Sequence, residues 1–104
     1  MSSTMDLSAC AQFRYEESAA VLNKEIVKIE AVTRDTDVER KANAEPEALP
    51  HLKEAQKSWT MYRDNECYSE TYQAGQASLH FVYFWDCMSR ITNLRLKELT
   101  TTDD

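Results

Sequence analysis

Residues 79–85 read LHFVYFW, and this stretch decides between an all-helical fold and a fold that contains a sheet. Its aromatic and β-branched side chains are typical of a strand. However, no partner strand is evident elsewhere in the chain, and a single strand cannot pair its own backbone. Apolar residues continue beyond it at helical spacing. We therefore predict a helix from about residue 77 to residue 99, along which Phe81, Phe84, Met88, Ile91, Arg95 and Leu99 keep a helical spacing.

The segment before this stretch predicts a second helix, from about Pro50 to Gln73. Proline suits the first turn of a helix, because its missing N–H would have no partner there. Gly75 follows the helix and readily adopts the left-handed conformation that ends one. The buried stripe of this helix is expected to consist of Leu52, Ala55, Trp59 and Tyr62.

The amino-terminal part predicts a first helix from about Asp6 to Arg34, which contains no Gly or Pro. Residues 35–49 are polar and broken by Pro46, so we interpret them as a connection with one short helical turn at 37–43. The predicted fold class is all-α: one domain, residues 1–104, forming a small antiparallel bundle of three long helices. The seam of the first helix comprises Tyr15, Ala19, Leu22, Ile26 and Ile29.

The composition agrees with a helical domain and limits the partners. One Gly and two Pro among 104 residues are too few for the many turns of a β-sandwich. The net charge of −6 argues against nucleic acid and anionic membranes as partners, and suits a basic protein, although it also suits simple solubility. No apolar run is long enough for membrane insertion. The amino end lacks a signal-peptide pattern, so an exported protein would have lost its leader.

Two of the three cysteines are placed to join the last two helices. Cys67 lies eight residues before Gly75 and Cys87 lies twelve residues after it. Antiparallel neighbours bring such positions together, and a loop at 75–78 can absorb the difference of about one turn. We predict a Cys67–Cys87 disulfide, which would stabilise the fold by roughly 3 kcal/mol. Cys10 is then left without a partner in this chain.

AQKSWTMYRDNEC (55–67) and CMSRITNLRLKEL (87–99) resemble the lysozyme inhibitor LprI-like family of small exported helical domains. The family's additional upstream cysteine is absent here, and its usual double glycine is represented by Gly75 alone. Ile26 stands where the family has an aromatic residue, and Ala19 where it has an acid. The matching residues are Ala55, Gln56, Trp59, Tyr62, Arg63, Asp64, Glu66 and Cys67, then Cys87, Arg90, Thr92, Arg95 and Leu99, and near the amino end Met5, Cys10, Ala11, Tyr15, Leu22 and Asn23.

The resemblance implies a periplasmic, secreted or lipid-anchored bacterial protein that is not an enzyme. Relatives inhibit lysozyme, and similar domains are thought to act in bacterial competition as immunity proteins against cell-envelope effector toxins. The expected partner is therefore a protein, either a cell-wall hydrolase or an effector toxin, whose active site this domain would occlude. A structural homodimer that closes over LHFVYFW, with no outside target, is the alternative from a different class.

The charged residues of the central motif have two interpretations. Arg63, Asp64 and Glu66 could present charges to a target. Alternatively, Arg63 stacks on Trp59 one turn away, or pairs with an acid of the first helix such as Glu16 or Glu17. We favour the structural interpretation for the whole set of motif residues, which comprises Trp59, Tyr62, Arg63, Asp64, Glu66, Arg90 and Arg95.

Neither a catalytic nor a metal site is predicted. His80, Asp86 and Cys87 lack the glycines of an oxyanion hole, and an oxidised Cys87 is no nucleophile. His51 and Glu54 could supply two metal ligands, but no third has matching spacing. We therefore expect no cofactor.

LHFVYFW also holds more aromatic surface than a three-helix bundle can bury. Either Val82, Tyr83 or Trp85 pack under the 35–49 connection, or they form an exposed patch that docks a partner. Tyrosine and tryptophan are frequent anchors of protein interfaces. The predicted partner-binding residues are Phe81, Tyr83, Trp85 and Asp86.

Overall fold

The computed structural model describes residues 4–75 and 80–101, and these residues form three helices. The helices are α1 (Thr4–Ala42), α2 (Leu49–Gln73) and α3 (His80–Thr100). No strand occurs in the described ranges, so the all-α prediction is confirmed, and LHFVYFW is helical from His80 onward. The predicted start of the last helix near residue 77 lies outside the described residues. No described helix combines the length and apolarity that a membrane span requires.

The three helices form an up-down-up rod of 61 × 25 × 24 Å. Tyr15 of α1 contacts Trp85 near the start of α3, and Val21 further along α1 shares a groove with Leu96 near the end of α3. These two helices are therefore parallel, and α2 returns antiparallel to both. The contacts of α3 with α1 are the most extensive, and those between α1 and α2 are the fewest. The predicted three-helix bundle is confirmed, with α3 as its central element.

The first helix is longer than predicted, because α1 continues unbroken through 39 residues to Ala42. The short turn expected at 37–43 is not separate but is the end of α1. The helix stops at Ala44, whose φ is 58°, and the N–H of Glu45 returns to the carbonyl of Arg40 at 2.8 Å. This is the left-handed stop that glycine usually occupies. Because an alanine stands there, the sequence carried no signal for it.

Asp37, a buried acid near the end of α1, holds the start of α2. Its carboxylate accepts the backbone N–H groups of Ala48 and Leu49, each at 2.8 Å, and a bond from Arg40 Nη1 at 2.8 Å. The N-cap residue Ala48 has no side-chain acceptor of its own, so an acid from the preceding helix caps α2. The hydrogen bond from Ala48, followed by those from Leu49 and Arg40, holds the pKa of Asp37 below its usual 3.8 against the opposing effect of desolvation.

The core lies between the middle of α1 and the disulfide-bearing halves of α2 and α3. The predicted α1 seam is correct, with Leu22 and Ile26 buried and its other three members half-buried. On α3, Met88 and Ile91 are buried. The remaining buried apolar residues are Ala11, Cys67 and Cys87.

The predicted buried stripe of α2 is wrong at two of its four positions. Ala55 and Tyr62 are exposed. The buried residues of α2 are instead Arg63, Cys67 and Thr71. Apolarity could not identify this face because two of its three buried positions are polar. The other two residues of the predicted stripe, Leu52 and Trp59, are half-buried. So are Phe84, Arg95 and Leu99 of α3.

Candidate partner-binding surface

The disulfide predicted between Cys67 and Cys87 is present, with a Cα–Cα distance of 5.6 Å. Both cysteines are buried, beside Met88 and Ile91. The bond therefore holds α2 and α3 together inside the core, about two turns from the end of α2. Cys10 is exposed and not disulfide-bonded.

Arg63 joins all three helices at a buried corner. Its guanidinium carbon lies 5.0 Å from the ring centroid of Trp59 on α2 and 5.3 Å from that of Tyr15 on α1. Nε donates to Asp64 Oδ1 at 2.9 Å, and Nη1 donates to Thr92 Oγ1 of α3 at 3.4 Å. The predicted stacking on Trp59 is present. The alternative pairing with Glu16 or Glu17 is wrong, because the neighbouring acid Asp64 is closer.

Two further arginines connect α3 to α2. Arg90 Nη2 donates to both carboxylate oxygens of Glu70, at 2.8 and 2.9 Å, and Arg95 Nε donates to Gln56 Oε1 at 3.1 Å. Arg95 also pairs with Glu98. These contacts place the motif arginines at the helix junctions, where they support the structural interpretation of the motif.

Glu66 precedes Cys67 in the chain and lies about one turn before Glu70 on α2. A hydrogen bond to Glu70, followed by desolvation, raises the pKa of Glu66 above its usual value. The same hydrogen bond, followed by the one from Arg90, lowers the pKa of Glu70. Glu70 is therefore the more acidic of the two carboxyls, and Glu66 the more readily protonated as pH falls.

Six aromatic residues lie at the α2–α3 end, and we call them the hairpin aromatic surface. Tyr68 packs on Phe84 with ring centroids 4.9 Å apart and on Tyr72 at 5.9 Å. Phe84 also meets Trp85 edge-on at 5.0 Å. Four members remain open to solvent at 44–65% exposure. The surface comprises Tyr68, Tyr72, Phe81, Tyr83, Phe84 and Trp85.

A depression of about 240 Å³ lies within this surface, lined by five of its rings and by Thr71. Thr71 is only 1% exposed, and its hydroxyl has no hydrogen-bond partner among the described residues. A depression walled by rings, with one polar group at its wall, is suited to receive an apolar or amphipathic side chain of another protein.

The predicted partner-binding residues all lie at this end of the rod. Phe81 and Tyr83 are exposed. Trp85 is half-buried, with its ring centroid 5.3 Å from that of Tyr15. Asp86 is exposed and lies 3.4 Å from Arg14 Nη2. Packing of this stretch under the 35–49 connection is wrong, because 22 residues of α1, about 33 Å, separate Tyr15 from Asp37.

Sequence reasoning missed Tyr68 and Tyr72, which extend the surface onto α2. The available signal was a pair of tyrosines four residues apart, just after Cys67 and opposite the aromatic stretch of α3.

Local charges at the surface are more balanced than the sequence suggested. Glu70 is paired with Arg90, and Asp86 with Arg14. The acidic excess of the protein is therefore spread over the molecule. Within the described ranges, no three His, Cys, Asp or Glu side chains are grouped so that they could hold a metal ion.

Comparisons with known proteins give one family. A family model described as "Lysozyme inhibitor LprI" matches residues 1–99. An uncharacterized protein of Rhizobium meliloti (strain 1021) is 34% identical over 99 residues, which is 93% of this chain and 71% of that protein. No solved structure matches the chain.

Proposed function

The chain belongs to the LprI family of lysozyme inhibitors, and from this premise we propose that it binds a lysozyme-like cell-wall hydrolase and occludes its active site. In this proposal the protein catalyses nothing. It acts as a rigid surface that competes with peptidoglycan for the cleft of the enzyme.

The observation that carries the proposal is the hairpin aromatic surface. Tyr68, Tyr72 and Phe81, which line the depression, expose between 46% and 65% of their surface at one end of the rod. Aromatic side chains bury much area at little entropic cost and dominate the energetics of many protein interfaces. Exposed rings gathered around a depression are expensive to leave in water unless a partner covers them.

The disulfide makes this surface rigid. Cys67 lies next to Tyr68 in the chain, and Cys87 lies three residues after Phe84. The rings therefore extend from two helices that are covalently joined within two turns of them. A surface that is ordered before binding loses less conformational entropy in the complex.

Charge and redox chemistry agree with the proposed setting. A net charge of −6 would accelerate encounter with a basic hydrolase, and salt would weaken that effect. A structural disulfide persists in oxidising compartments, so we propose a periplasmic or secreted location, where cell-wall hydrolases act.

The test is inhibition of peptidoglycan hydrolysis by the purified protein, with two tyrosine variants compared. Tyr72→Ala removes an exposed ring that lines the depression, and we expect the inhibition constant to rise by about tenfold or more. Tyr62→Ala is the matched control, since Tyr62 is 58% exposed on α2 but does not line the depression. Its inhibition constant should stay within about threefold of the wild type.

Two outcomes would contradict the proposal. Equal loss in both variants would place the binding surface elsewhere. No binding to any lysozyme or peptidoglycan hydrolase, at low or high salt, would exclude a hydrolase target. An effector toxin encoded by a neighbouring gene would then be the next partner to assay.

A further inference from the structure

One exposed side of α1 carries a largely apolar stripe that the described part of the bundle does not cover, and one member of the stripe, Glu17, also lines the groove between α1 and α3. The stripe consists of the positions reached from Phe13 by alternate steps of four and three residues, and it ends at Val38. Every one of these positions is exposed. Phe13, Val27 and Val38 are 61%, 65% and 68% exposed. Ala20 and Ala31 are the other apolar members. We call these eight positions the outer seam.

The spacing of the outer seam is that of a coiled coil. Steps of four and three residues give the 3.5-residue repeat with which two helices pack along their length. The core seam of α1, through Leu22 and Ile26, lies on the opposite side. The helix is therefore apolar on two sides, and only one of them is covered by residues that the structure describes.

The charged members of the outer seam discriminate between the two orientations of a second helix. In a parallel pair, each residue meets its own copy, so Glu17 would face Glu17, Lys24 would face Lys24 and Arg34 would face Arg34. Like charges at such positions are destabilising. A parallel arrangement would bring three such pairs together.

An antiparallel pair with its twofold axis between residues 25 and 26 is self-complementary. Glu17 then faces Arg34 of the other copy, and this ion pair occurs twice by symmetry. Neither side chain forms an ion pair within the described part of the chain. The same axis places Phe13 against Val38, Ala20 against Ala31 and Lys24 against Val27. The small Ala20–Ala31 pairs allow close approach of the helices, and the stem of Lys24 can lie along Val27.

We propose that a second copy of this chain docks along the outer seam of α1, forming an antiparallel dimer. The register uses α1 over most of its length. It leaves both hairpin aromatic surfaces free, near opposite ends of the shared α1 pair. Tyr15 of one copy would lie level with residue 36 of the other, so the two Tyr15 positions are about 32 Å apart along the axis. Such a dimer could engage two target molecules, and its avidity would exceed that of one chain on a surface that presents several targets.

Charge reversal tests the register. Analytical ultracentrifugation of the full chain should show a dimer whose dissociation constant rises about tenfold or more in Glu17→Lys and likewise in Arg34→Glu. The double variant Glu17→Lys with Arg34→Glu should return to within about threefold of the wild type, because the pairs are restored with exchanged signs. Both substitutions are at exposed positions, so circular dichroism should show unchanged helicity in all three variants.

Cysteine cross-linking tests the orientation, in a Cys10→Ser background. A mixture of Ala20→Cys chains and Ala31→Cys chains should form the mixed disulfide dimer under mild oxidation, whereas neither chain should cross-link alone. Cross-linking of Ala20→Cys with itself would show a parallel pair and overturn the proposal. In the native chain, Cys10 would lie opposite Lys41, so a Cys10–Cys10 dimer would overturn it as well.

Two further results would contradict the dimer. One is a monomer at all concentrations up to about 1 mM. The other is a dimer that ignores charge reversal and dissociates on Tyr83→Ala, which would show closure over the hairpin aromatic surface. The dimer and the proposed function are independent of each other. The Glu17→Lys variant should still inhibit the hydrolase as a monomer.

Discussion

Arg63 shows how a charged residue can be a core residue. Its side chain is 10% exposed, yet it is surrounded by contacts that suit a planar cation: two ring faces, one carboxylate and one hydroxyl. Lysine has neither the plane nor the five donors to replace it. Because these contacts come from all three helices, Arg63 contributes to stability and is turned away from any partner.

We expect Arg63→Ala to lower the free energy of unfolding by about 2–3 kcal/mol, since it removes buried packing and the donor to Thr92. Urea unfolding followed by circular dichroism measures this. Arg14→Ala is the control: its ion pair with Asp86 is more than half exposed on both sides, so the change should be below about 0.5 kcal/mol. A stable Arg63→Ala variant that fails to inhibit the target would show instead that Arg63 contacts the partner.

The bounds of the helices were predictable where glycine or proline marks them. Pro50 and Gly75 bracket α2 to within about two residues, and counting outward from Gly75 was enough to pair Cys67 with Cys87. The end of α1 was not predictable, because Ala44 adopts the left-handed conformation without a glycine. The cap of α2 was equally hidden, since Asp37 lies eleven residues before Ala48 in sequence.

The cap by Asp37 should make stability depend on pH on the acid side. The pKa of Asp37 is lowered in the folded protein, so its contribution is complete above the unfolded value of about 3.8 and is lost as pH falls through the lower folded value. Asp37→Ala should therefore be less stable than the wild type at pH 7 and at pH 5, with the difference shrinking below about pH 4.

Urea titrations at several pH values, with the exposed Asp35→Ala as control, measure this effect. A difference between Asp37→Ala and the wild type that stays constant from pH 7 to pH 2 would show that the carboxylate charge is not what holds the start of α2.

The apolar side chains of the molecule fall into three regions. One is the core around the disulfide, the second is the hairpin aromatic surface, and the third is the outer seam of α1. The sequence indicated the first two through Cys67, Cys87 and LHFVYFW. It could not show that Tyr62 faces solvent, because Arg63, Thr71 and Thr92 occupy core positions that a hydrophobic pattern assigns to apolar residues.

Amide hydrogen exchange of the protein with and without a saturating lysozyme-like hydrolase tests most directly whether the hairpin aromatic surface is the inhibitory one. In the presence of the hydrolase we expect slower exchange at residues 68–75 and 80–86, and no change at residues 43–56 near the opposite end of the rod. Protection at 43–56 with none at the hairpin, or unchanged exchange throughout the chain, would contradict this expectation.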